Sequence, residues 1–178
     1  GTINSELIFS SLEELIDQDI DLAVVACPTI EHEQVAMKLC EAGIHTLVEK
    51  PLAIDTEAAL RIANAFQKAN LVGAVGHIER FNPAIRSMRQ RIAEGELGEL
   101  YQISTRRIGP FPNRIRDVGV VKDLATHDLD LTVWVGNSQF KQISAHTAHK
   151  AGRSHEDLVA ITGILESDVV TNHLVNWL

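Results

Sequence analysis

The 178 residues contain no Gly-x-Gly-x-x-Gly, the turn that cradles a pyrophosphate in dinucleotide-binding sheets. Cysteine is scarce. Cys27 and Cys40 are too few for a disulfide framework, which excludes the small disulfide-stapled secreted class and fits a reducing cytoplasm. Both lie in apolar stretches and are expected to be buried. No apolar run approaches the ~20 residues of a membrane span, so no membrane partner is expected. Positive charge is also short: 16 Lys and Arg stand against 24 Asp and Glu, a net charge of −8. That balance argues against nucleic acid or an anionic membrane surface as the main partner, while leaving room for a local basic pocket. Internal repeats and low-complexity segments are missing as well. What is plentiful is apolar content, 45%, ample for a real core.

The pattern along the chain is that of an α/β protein. Residues 11–16 read as a short helix capped by Ser11. Residues 21–26 form a continuous apolar run, expected to be a strand buried on both faces. Residues 31–42 alternate at helical spacing and stop at Gly43. Residues 44–48 are a second buried strand, Asp55 or Thr56 caps a helix through Ala69, and residues 71–75 are a third strand. Strands and helices alternating in this way predict βαβ units and a parallel sheet. The style changes near Gly76, and a domain boundary is expected at residues 76–80. A basic helix over 83–94, an alternating strand over 98–106, an irregular loop over 108–121 and a helix over 123–135 follow. Residues 139–148, 157–165 and 169–177 read as antiparallel strands, the last two joined across 166–168. The fold class is therefore α/β, a Rossmann-type parallel sheet followed by an α+β domain with a mostly antiparallel sheet.

Three groups of residues carry candidate chemistry. The loop Cys27-Pro28-Thr29-Ile30-Glu31-His32 follows a strand and opens a helix, where doubly wound sheets bind ligands; alone it is an ordinary β–α turn. Glu49-Lys50-Pro51 places a lysine just past a short strand, its backbone restricted by the proline. A lone lysine there is usually solvated. Asp123 and His127 stand four apart on one predicted helix face, with Asp130 three further on, so an acid can orient the imidazole. Lysine, histidine and aspartate together meet the needs of alcohol oxidation: a proton acceptor, its orienter and a stabiliser of the alkoxide. A divalent ion held by Asp123, His127 and Asp130 is the rival use of the same residues, but no further ligand pair has helpful spacing, and no metal is expected. Arg106, Arg107, Arg114 and Arg116 surround the rigid stretch Gly109-Pro110-Phe111-Pro112. They suit a diphosphate or, equally, pair with the surplus acids at the surface. His146, His149, His155 and His173 have no ligand-like spacing and receive no role.

In combination these motifs resemble the Gfo/Idh/MocA family of nicotinamide-dependent oxidoreductases. Cys-Pro-Thr-x-x-His at 27–32 is similar to the family's strand-end loop, Glu49-Lys50-Pro51 to its lysine motif, and Asp123-x-x-x-His127-x-x-Asp130 to its catalytic helix. The likeness covers nearly the whole chain in the right order. The stretches 76–83 and 109–119 resemble the branch that oxidises C3 of UDP-N-acetylglucosamine. The resemblance implies NAD or NADP as cofactor, a sugar or nucleotide sugar as substrate, and a homo-oligomer. It implies His127 as general base, Asp123 as its orienter and Lys50 on the reacting oxygen. It places Cys27, Pro28, Thr29, His32, Glu49, Lys50 and Pro51 beside the cofactor, and Arg107, Arg114 and Arg116 at the substrate phosphates. Residues 1–78 would be the later part of a dinucleotide-binding domain, and residues 79–178 part of a substrate and oligomerisation domain. Family members open with a glycine-rich phosphate turn that this sequence lacks, so a central piece of a longer enzyme is expected. A dehydrogenase of free sugars or inositols is the alternative substrate class. A non-catalytic dinucleotide-binding or scaffold relative, with this piece itself inactive, is the alternative of another kind.

Overall fold

The structure, a computed structural model, describes residues 4–111 and 118–178. The chain forms two compact units, Gly1–Gly76 and His77–Leu178. Among the described residues no helix is long and apolar enough to cross a membrane.

The first unit is built on three parallel strands in the order β1 (Leu22–Val25), β2 (His45–Val48) and β3 (Gly73–Val75). Helix α1 (Leu12–Ile16) precedes them, capped by the Ser11 hydroxyl accepting from the Glu14 N–H. Helix α2 (His32–Glu41) joins β1 to β2, and α3 (Thr56–Lys68) joins β2 to β3. Asp55 supplies the cap of α3, its carboxylate accepting from the Ala58 N–H at 2.8 Å. The register pairs Ala23 with Thr46 and Val25 with Val48, so all four share the face that α2 and α3 cover. There Leu39, Ala36, Ile62 and Phe66 close a core with Ala23, Val25 and Val48. Gly73 lies directly beneath Phe66, and a Cβ would meet that ring at 2.9 Å.

The expectation that β1 is buried on both faces is corrected. Leu22 and Val24 are each 62% exposed, because among the described residues no helix of this unit covers their side of the sheet. An unbroken apolar run reports affinity for burial, not the presence of a second covering layer. Cys27 is likewise exposed, whereas Cys40 is buried as expected. Its place at the end of β1, beyond the covered face, accounts for the difference.

The second unit carries a four-stranded sheet in the order β4 (Gln102–Ile108), β7 (Val170–Asn176), β6 (Leu158–Leu165) and β5 (Phe140–Ala148). The β5–β6 and β6–β7 pairs are antiparallel, while β4 joins β7 in parallel. Helix α4 (Pro83–Ala93) begins at an Asn82 cap with Pro83 in its first position, where the missing N–H costs nothing. A single π-helical turn, Val121–Ala125, runs into α5 (Thr126–Gly136), and Asn137 ends α5 in the left-handed conformation. Val120, Ala125, Val159, Ile161, Val175 and Trp177 form the core between this turn and the sheet. The stretch predicted as one helix over 123–135 thus starts two residues earlier, with a wider first turn that apolar spacing cannot reveal.

Candidate active-site residues in each unit

In the first unit the structure brings the predicted residues together at the carboxyl ends of β1 and β2. The Glu49 N–H donates to the Val25 carbonyl at 2.9 Å, and the Gly76 N–H to that of Val48 at 2.8 Å. The three strand ends are therefore stitched one residue past the sheet. Pro28 begins a short 3-10 turn over Thr29–Glu31 that enters α2. Cys27 and Pro28 are exposed, and Thr29, Glu49, Lys50 and Pro51 are half-buried. The Lys50–Pro51 peptide is cis. Gly76 is buried with its Cα against Glu49, and a Cβ there would meet the carboxylate at 3.0 Å.

His32 differs from its expected part as a cofactor contact. It is 1% exposed, with Nδ1 3.0 Å from the Pro51 carbonyl oxygen and Nε2 3.0 Å from that of Cys27. Its ring binds the two loops to each other and does not reach solvent, so it acts through Cys27 and Pro51. Although the Cys27 side chain is exposed, partial loss of water around its thiol pushes it up, with nearby Glu31 adding to the effect. That disfavours a thiolate nucleophile.

In the second unit the π-helical turn and the first turn of α5 carry Asp123 and His127, both half-buried. In a helix whose first turn is widened, positions four apart still lie on roughly one side. Asp130, read in the sequence as a second acid beside His127, is engaged elsewhere. Its carboxylate accepts a two-pronged bond from Arg80 and lies 3.5 Å from His77 Nδ1. Burial holds His77 below the ordinary imidazole range; Asp130 opposes this and Arg80 reinforces it.

Arg107 is also committed. Its Nε and Nη2 each lie 3.3 Å from Asp128, and its Nη1 lies 3.4 Å from Glu79. With all three nitrogens facing carboxylates, it braces α5 against β4, and a phosphate would have to compete for it. Arg114 and Arg116 lie outside the described residues. Among the described residues no group of three or more His, Cys, Asp or Glu could hold a metal ion. A hollow of about 860 Å³ between α4 and α5 is lined by Arg89, Trp134 and Asn137. It sits at the far end of α5 from His127.

Sequence reading missed His173. It is 2% exposed on β7, its Nδ1 2.8 Å from the Thr105 hydroxyl, and Nε2 has no hydrogen-bond partner among the described residues. Burial lowers its pKa, against the charge of Asp128. No local spacing could have flagged it, because Thr105 is 68 residues away.

A three-stranded parallel sheet with a strand-end lysine, followed by a mixed sheet with an Asp/His turn, places the chain in the Rossmann-type α/β class. The family comparisons agree. Residues 2–77 match the model described as "Oxidoreductase family, NAD-binding Rossmann fold", and residues 85–178 match "GFO/IDH/MocA C-terminal domain". The chain belongs to the Gfo/Idh/MocA family. It is 38% identical, over 70% of its length, to UDP-N-acetylglucosamine 3-dehydrogenase of Acidithiobacillus ferrooxidans, covering 38% of that protein. A solved structure of that enzyme superposes with a TM-score of 0.85 at 31% identity, over 96% of this chain and 54% of the other. The WlbA dehydrogenase of Bordetella pertussis, solved with NADH and UDP-GlcNAcA, superposes at 0.87 with 25% identity, over 96% and 53%. Inositol 2-dehydrogenase 2 of Saccharopolyspora erythraea is 29% identical over 79% of this chain and 42% of that protein. The chain spans about half the length of these relatives or less.

Proposed function

We propose that the protein carrying this chain oxidises a sugar hydroxyl, at C3 of UDP-N-acetylglucosamine, using NAD or NADP. The observation that carries this is the presence of Lys50, Asp123 and His127 in a chain 38% identical to a UDP-N-acetylglucosamine 3-dehydrogenase. The first unit fits a nicotinamide dinucleotide. Cys27 and Pro28 open to solvent where the strands end, with half-buried Thr29 next in the loop, and Gly76 lets the Glu49 carboxylate lie close against the backbone there. Cys27, Pro28, Thr29, Glu49, Lys50 and Pro51 would hold the nicotinamide side, with His32 fixing their loops. When bound, that group supplies the hydride acceptor.

The chain's own residues handle the proton and the charge. His127 takes the hydroxyl proton as general base, at the ring nitrogen turned towards substrate. Asp123 holds the ring in the required tautomer and supports the imidazolium that forms. Lys50 donates to the reacting oxygen and stabilises the negative charge developing on it. Arg114 and Arg116 serve the substrate diphosphate, and Arg107, through Asp128, braces α5. Sheet faces that no described helix covers, together with exposed Leu22, Val24 and Ile143, suit a homo-oligomer in which such faces are covered, and the two free cysteines suit a reducing cytoplasm.

The inositol dehydrogenase relatives support a second substrate class, a free polyol. The decisive test of mechanism is His127→Gln in the full protein. Turnover should fall by about a hundredfold or more, with dinucleotide affinity held within about threefold. Turnover at the wild-type level would remove His127 from the chemistry.

A further inference from the structure

We propose that Arg153 and Glu156, on the connection between β5 and β6, are positioning residues that latch the turn carrying Asp123 and His127. The link to proton transfer rests on the function proposed above. The π-helical turn has no side-chain cap of its own, and the first amides of any helix need partners. One residue supplies two of them. The Val120 N–H donates to the Glu156 carbonyl at 3.0 Å, and the Val121 N–H to Glu156 Oε1 at 3.0 Å. Asp123's own N–H donates to the Gly119 carbonyl at 3.1 Å. Gly119 is where the Glu156 carboxylate rests, and any Cβ there would collide with it.

Arg153 grips the residue before that glycine. Its Nη2 donates to the Val118 carbonyl at 2.9 Å. The guanidinium carbon lies 4.1 Å from the centre of the Phe111 ring and 5.2 Å from that of Trp177. These two rings meet edge to face at 5.3 Å. The arginine is held in turn by Asp157, which is fully buried and accepts the Lys150 and Ala151 N–H groups on Oδ2 at 2.8 Å each. Its Oδ1 faces Arg153 Nη1 at 3.8 Å, and neither atom has a hydrogen-bond partner among the described residues. A buried ion pair adds little stability over apolar packing. An apolar side chain could fill this space and stack on both rings. It could not give a directed bond to Val118, five residues before Asp123.

The test uses Arg153→Met, which keeps bulk and removes the donor, and Arg153→Lys, which keeps the charge, both in the full protein. Two quantities are read: kcat and KM for the nucleotide sugar, and the ring 15N shifts of His127, assigned by comparison with His127→Gln. Arg153→Met should lower kcat by about tenfold or more, because small misplacements of a catalytic group are costly. KM should stay within about threefold, the His127 shifts should move, and Arg153→Lys should recover part of both. A folded Arg153→Met variant with wild-type kcat and wild-type His127 shifts would overturn the latch. Should that variant fail to fold, Glu156→Ala removes only the carboxylate bond to Val121 and is read in the same way. If wild-type protein oxidises no sugar, the functional reading falls, and the His127 shifts alone still decide the latch.

Discussion

His32 and His173 are both almost fully buried imidazoles, yet only one was visible in the sequence. His32 was legible through its place in a strand-end loop, and in the structure its ring lies between the carbonyls of Cys27 and Pro51. His32→Ala strips both carbonyls of that side-chain partner and should cost about 1–3 kcal/mol in urea unfolding. His173 was invisible because its environment is assembled from strands far apart in sequence. Burial holds its pKa below the imidazole range, so the unfolded chain binds the proton more readily than the folded one. Stability from this source is complete above about pH 6.5 and is lost as pH falls through that value towards the folded pKa. His173→Gln should therefore show a smaller drop in urea midpoint between about pH 7 and pH 5 than wild type, while His77, lowered in the same direction, still contributes. An unchanged drop would remove His173 as a cause. Lys50, Asp123 and His127 stand out in the sequence through a spacing that resembles the family's motifs, whereas Asp130's pairing with Arg80 across 50 residues has no local signal.

At the level of elements, periodicity and caps located most helices and strands to within a few residues. Ser11, Asp55 and Gly43 punctuate the chain where predicted, because caps and left-handed turns are local chemistry. The start of β4 was set too early, at 98 instead of 102. Gly98-Glu-Leu-Tyr alternates like a strand but finds no ladder partner until Gln102 meets Val170 on β7. The π-helical turn and the parallel β4–β7 pairing depend on tertiary partners that no window of sequence contains. The β5–β6 connection makes its own prediction. Two backbone N–H bonds hold Asp157 below the usual carboxylate range, although burial opposes them. A depressed carboxylate stabilises above its unfolded pKa of about 3.9 and loses that contribution as pH falls through the folded value. Asp157→Asn should cost about 1–3 kcal/mol at neutral pH and flatten the acid limb of a stability–pH curve below about pH 4. A limb as steep as that of wild type would place the acid sensitivity elsewhere.

For the whole molecule, an acidic chain forms two compact units, and each carries part of the proposed chemistry: a strand-end lysine in the first and an Asp/His turn in the second. Composition excluded a disulfide-stapled framework and pointed away from nucleic acid, and the βαβ rhythm gave the parallel sheet. The uncovered outer face of β1 could not be foreseen, since apolar runs are the same whether or not a second layer covers them. The most direct measurement of the central claim is the absorbance of reduced nicotinamide. It is followed with the full protein, NAD or NADP, and UDP-N-acetylglucosamine, myo-inositol or glucose in turn. Reduced cofactor is expected with the nucleotide sugar and not with the free polyols. Oxidation of inositol or glucose without a nucleotide would contradict the nucleotide-sugar assignment, and silence with every substrate would contradict the proposed dehydrogenase activity.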